Sequence, residues 1–121
     1  MNEKITERIK ELTSPILEKG FVFDAFYEKG GDSSCVYIFR FKKGRDFFDW
    51  REISGSDQIN FVSFVNGVYG FPNLTSLYKK EYRAFRLKHL FQKATMDERR
   101  VFFADLLVKN CQGESFFGIL L

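Results

Sequence analysis

Between residues 21 and 65 the chain is written as four runs of strand formers separated by short turns, and this leaves few ways to fold. Phe21-Val22-Phe23-Asp24-Ala25-Phe26-Tyr27 precedes the turn Lys29-Gly30-Gly31-Asp32-Ser33-Ser34, and Cys35-Val36-Tyr37-Ile38-Phe39-Arg40-Phe41 follows it. Lys42-Lys43-Gly44-Arg45 leads to a third run, 46–53, and Ser54-Gly55-Ser56-Asp57 to a fourth, 58–65. Connections this short force neighbouring strands to run antiparallel, because a parallel crossover needs about a dozen residues or more. The expectation is a four-stranded antiparallel meander.

Both faces of these strands are apolar. In the second run Tyr37, Phe39 and Phe41 point one way while Val36 and Ile38 point the other. A sheet with one solvated face alternates more cleanly, so the second face is expected to meet helices, a partner or a ligand, at least in part. Sixteen Phe, five Tyr and one Trp in 121 residues predict a core built mainly of rings. The length suits one domain, 1–121, and the 45% apolar and 29% charged fractions exclude disordered, collagen-like and membrane-spanning classes.

The flanks read as helices. Ile5, Ile9, Leu12 and Ile16 recur at i, i+4, i+7 and i+11 among charged residues, which predicts an amphipathic helix. Pro15 predicts a kink or restart near Thr13-Ser14, and Gly20 a close. Gly67-Val68-Tyr69-Gly70-Phe71-Pro72-Asn73 reads as a break, with Asn73 as N-cap of the next helix. Leu74, Leu77, Tyr78, Tyr82 and Phe85 lie on one helical face, and Leu87, Leu90, Phe91 and Ala94 on another of different phase. Near Arg86 the pattern therefore predicts a bend, a junction of two helices, or a strand over 82–87. Thr95-Met96-Asp97-Glu98 is a capping box opening a helix to about Asn110. The apolar tail, 116–121, is expected to bury itself in its own fold, in preference to docking into another chain.

The class is therefore α+β: an N-terminal helix, a four-stranded antiparallel meander, two or three C-terminal helices, and room for a short strand in the tail. In outline this order of elements resembles small bacterial domains such as toxin-immunity proteins and secretion chaperones. The resemblance is one of architecture, and no residue is carried over from it.

A net charge of +3 is too small to imply nucleic acid or anionic lipid. The excess is uneven, however: residues 61–121 hold nine Lys and Arg against five Asp and Glu. The first residues lack the apolar segment of a secretory signal, and no apolar run approaches the roughly twenty residues of a bilayer span, so a cytoplasmic protein without membrane contact is expected. Cys35 and Cys111 read as reduced, buried thiols. With His89 the single imidazole, no metal site and no cofactor is expected.

Two clusters stand out. In Asp46-Phe47-Phe48-Asp49-Trp50-Arg51-Glu52, strand alternation sends Phe47, Asp49 and Arg51 to one face, and Asp46, Trp50 and Glu52 to the other. Asp46 and Glu52 would lie roughly 20 Å apart on one strand, too far to share acid-base work. Trp50 and Arg51, with Asp49, are the candidate partner-binding residues, because Trp and Arg dominate interface energies. The segment 79–93 carries six Lys and Arg against one acid. Lys79, Arg83 and Arg86 share a helical face there and, with Lys88, are the candidate nucleic-acid-binding residues.

No nucleophile motif, phosphate loop or oriented His–carboxylate pair is visible, which points away from an enzyme. The leading expectation is a non-enzymatic interaction domain that binds a protein partner or a second copy of itself. Nucleic-acid binding through 79–93 and a small-molecule pocket lined by aromatics are the alternatives.

Overall fold

The computed structural model describes residues 3–29 and 35–121; Met1, Asn2 and most of the first predicted turn, 30–34, lie outside them. Glu3–Leu12 forms α1 and Ser14–Leu17 forms α2, with Pro15 in the first turn of the second helix. The restart expected at Pro15 is therefore present, because its ring tolerates only a helix's opening turn. Thr13 does not cap α2 with its side chain; its buried hydroxyl donates back to the Ile9 carbonyl at 2.6 Å. Gly20, at φ +94°, turns the chain into the sheet.

The sheet has five strands in the order of the sequence: Val22–Lys29 (β1), Cys35–Lys43 (β2), Asp46–Ile53 (β3), Ile59–Val65 (β4) and Val68–Gly70 (β5), each antiparallel to its neighbour. The four predicted strands are present. The stretch after Gly67, read from sequence as a break, instead forms a short fifth strand. Asn66 and Gly67, at φ +52° and +79°, make the two-residue turn that returns Val68 opposite Val65. Asn-Gly is the dipeptide best suited to such a turn, because both positions need positive φ. Pro72, which lacks an N–H, follows closely and the strand stops at Gly70.

Register stacks the large side chains in rows across one face. Phe23, Phe41, Phe48, Ser63 and Gly70 form one row; Ala25, Phe39, Trp50 and Phe61 form the next. The first row narrows toward β5, where a β-carbon on Gly70 would stand 2.6 Å from Ser63 Oγ. Phe39, Phe41, Phe48 and Trp50 are fully buried. Removing each from water contributes about 1.5–3 kcal/mol, so these rows are the main source of stability.

Helices close this face. Leu74–Leu77 (α3) begins at Asn73, whose side chain accepts from Ser76 N–H as predicted, and Lys79–Lys88 (α4) follows after one residue. None of the three alternatives near Arg86 is observed: α4 runs unbroken through Arg86, no strand forms over 82–87, and the breaks fall at Tyr78 and His89. Met96–Asn110 (α5) starts on the full capping box of Thr95 and Glu98 and lays Phe103 edge-on against Phe61 at 5.5 Å. The tail forms a separate small hairpin, Ser115–Phe116 (β6) with Ile119–Leu120 (β7). Its Phe116 is fully buried against Phe21 and Phe48, at 5.6 and 4.9 Å between ring centres.

Candidate interaction surfaces

The structure separates the three residues expected to form a partner-binding surface. Trp50 points into the helix-covered face and is fully buried, its indole N–H donating to Glu52 Oε2 at 3.0 Å. A surface centred on Trp50 is thus not presented to a partner; the reason is the strand alternation that seats it between Phe39 and Phe61. Glu52 is itself clasped by Arg100 of α5 at 2.8–3.3 Å. Asp46, the other carboxylate of that strand face, accepts instead from the Asn66 N–H at 3.1 Å.

Asp49 and Arg51 emerge on the opposite face. There Asp49 is buried and binds Arg40 through two hydrogen bonds of 2.8 and 2.9 Å. Donating to the Asp49 carboxylate raises the Arg40 pKa above its ordinary value. Arg40 also lies between the rings of Phe26 and Phe47, 5.0 and 3.8 Å from their centres. Val22, Asp24, Lys42, Asn60 and Tyr69 are exposed around this pair, so no described helix covers the face at these positions. The second face is apolar largely because its own rings, Phe47, Phe64 and Tyr69, pack on one another.

The basic segment becomes a surface through the way α4 is held. Tyr82 and Phe85 meet Phe102 of α5 at 6.2 and 4.3 Å, Lys109 pairs with Glu81 at 3.1 Å, and Asn110 donates to the Tyr78 hydroxyl. These contacts fix one side of α4 against α5 and turn the other outward. No residue of α4 is fully buried. On the outward side Lys79, Arg83 and Arg86 line a groove of about 320 Å³ with Thr75, Tyr82, Leu87 and Leu90. Among the described residues none of these three cations makes an ion pair.

Lys88, the fourth residue of the predicted set, stands apart. It lines a hollow on the α5 side beside Asp97, Glu98 and Asp105, where its charge is partly matched. His89 Nε2 lies 3.7 Å from Glu98 Oε2, but that carboxylate is already engaged: it accepts the Thr95 N–H at 3.0 Å, and this hydrogen bond holds it below the usual carboxylate range. A His–carboxylate pair occupied in capping a helix has little freedom to orient a base.

Sequence reasoning missed the apolar part of the surface. Leu77, Leu87, Leu90 and Phe71 are 60–76% exposed, and Phe91 is 97% exposed. The signal was present in the phase change: Leu87 and Leu90 do not share the face of Tyr82 and Phe85, and only that face packs on α5. A concavity of about 650 Å³ is an open groove along β4 and not a hollow inside the ring-filled core. Burial pushes the Cys111 thiol up.

Among the described residues no three His, Cys, Asp or Glu side chains gather where they could hold a metal ion, and no helix is long and apolar enough to cross a membrane. No family model, curated protein or solved structure matches the chain.

Proposed function

We propose that the chain is a non-enzymatic protein-interaction domain that presents α4 to an acidic, amphipathic helix of its partner. The observation that carries this reading is the composition of the α4 groove. Leu87 and Leu90, both more than half exposed, sit among Lys79, Arg83 and Arg86, with no acidic residue in the lining among the described residues. Leu87 in the last turn of α4 and Leu90 just beyond its end together make an apolar strip that a second helix covers, and a cationic rim selects acidic flanks. The free thiols of Cys35 and Cys111 fit a cytoplasmic setting.

A second reading, nucleic-acid binding, is favoured by the shared exposure of Lys79, Arg83 and Arg86 on one face. It leaves the leucines without a role, since phosphate contact needs only the charges.

Calorimetric titration separates the two. A synthetic helix with a leucine stripe and glutamates elsewhere is expected to bind saturably, and Leu87→Ser with Leu90→Ser to weaken it about tenfold or more. Failure of that peptide to bind, or binding indifferent to both leucines, overturns the protein-interaction reading. Oligonucleotide binding that falls steeply with salt and ignores the leucine variants establishes the alternative.

A further inference from the structure

An open groove runs beside β4 and shares only Thr75 and Tyr82 with the α4 groove. β5 pairs with β4 only over Ser63–Val65, because the chain leaves the sheet before Pro72. On the side away from β3, residues 59–62 have no strand beside them among the described residues.

The ladder fixes which backbone groups face that gap. Ile53 N–H donates to the Gln58 carbonyl, so alternation directs residues 58, 60 and 62 toward β3 and leaves Ile59 and Phe61 pointing their N–H and C=O outward. The tight turn at Asn66-Gly67 requires the same phase, with Val65 and Ser63 bonded to β5.

Unpaired sheet edges are normally guarded by charges, prolines or bulges; in this one Ile59, Phe61 and Val62 are buried and Asn60 is exposed. The opposite edge strand, β1, carries Asp24, Glu28 and Lys29 among its exposed positions, with Val22 and Tyr27. Ile59-Asn60-Phe61-Val62 carries no charge and no proline. Its flanks are cationic instead. Arg51 lines the groove from the open face of the sheet, and its Nε is buried with no hydrogen-bond partner among the described residues. Arg99 lines it from α5 on the covered face, held by a 3.1 Å bond from its Nε to the Asp57 carbonyl. The groove, about 650 Å³, has no acidic residue in its lining among the described residues.

We infer that this edge takes an extended, acidic segment of a partner protein as an added sixth strand. Main-chain hydrogen bonds to Ile59 and Phe61 would supply the pairing, as in other cases of strand addition. Side chains of the incoming strand alternate between faces, so one carboxylate would reach Arg51 and another, an odd number of positions away, Arg99. Arginine suits this role because its planar fork binds a carboxylate through two parallel hydrogen bonds.

The test is selection of short random peptides on the full chain, followed by synthesis of the enriched sequences. The expected peptides carry β-branched residues and two acids at odd separation. On binding they slow hydrogen exchange at the Ile59 and Phe61 amides, and Arg51→Gln with Arg99→Gln weakens them about tenfold or more. Arg51→Lys, which keeps the charge but not the fork, is expected to fall between, and Leu87→Ser with Leu90→Ser to change nothing. Enrichment of no acidic sequence, or protection that appears elsewhere than 59–61, overturns the inference. The leucine variants keep its failure distinct from that of the α4 reading.

Discussion

Arg100 and Glu52 join α5 to β3 through a bidentate ion pair, Nη2 to Oε1 at 2.8 Å and Nε to Oε2 at 3.0 Å, with both side chains at least 87% buried. The carboxylate has a second task, since Oε2 also accepts the Trp50 indole N–H. Three residues from two elements thus satisfy one another inside an apolar layer.

Removing the cation should be costly. Arg100→Leu strands the Glu52 charge and is expected to lower stability by about 3–5 kcal/mol, read as a drop in the urea midpoint. Glu52→Leu combined with Arg100→Leu should recover only part of this, because the indole N–H then lacks an acceptor, at a cost of about 1–3 kcal/mol. Full recovery in the double variant would show that the indole bond contributes little.

Acid should loosen the contact between α1 and α5. Arg8 donates to both Asp97 oxygens, at 2.9 and 3.1 Å, and these hydrogen bonds hold the Asp97 pKa below its ordinary value. A depressed folded-state pKa means stability that is present above the unfolded value, about pH 4, and lost as pH falls through the folded value. The urea midpoint of the parent chain should therefore fall on acidification below about pH 4, and Arg8→Ala should remove part of that fall. Parallel curves for the two proteins down to the acid limit would refute this.

The tail is expected to behave as core. Phe116→Ala, at a fully buried ring against Phe21 and Phe48, should cost about 3–5 kcal/mol in thermal or chemical denaturation. Leu120→Ala, at a side chain 77% exposed on the same hairpin, should change stability by less than about 0.5 kcal/mol.

The fifth strand depends on its turn. Gly67→Val places a β-branched side chain at φ +79° and is expected to cost about 1–2 kcal/mol. Amide exchange at Val68 and Gly70 should accelerate while that of β2 and β3 stays slow. Equal acceleration across the sheet would mean that β5 is integral to it.

Elements with a strong local code were legible in the sequence. The four long strands follow from alternating rings between glycine turns, and α5 from a capping box that the structure reproduces in both of its hydrogen bonds. The meander's end was not, because a three-residue strand has almost no period to detect and the informative pair, Asn66-Gly67, was read together with the glycines around it. The candidate surfaces were legible by charge and not by exposure. Lys79, Arg83 and Arg86 could be placed on one face from spacing alone. That Trp50 is sealed inside while Leu87, Leu90 and Phe91 are bare depends on which side of β3 and α4 meets α5, and that is decided by tertiary packing.

The sealed indole gives the molecule a built-in optical reporter. With one tryptophan in the chain, emission from Trp50 originates at a single dry, hydrogen-bonded position between β3 and α5. Its wavelength should stay blue and its lifetime insensitive to aqueous quenchers while that layer is closed. A red shift would then date the moment when water first enters between sheet and helix, without any label attached.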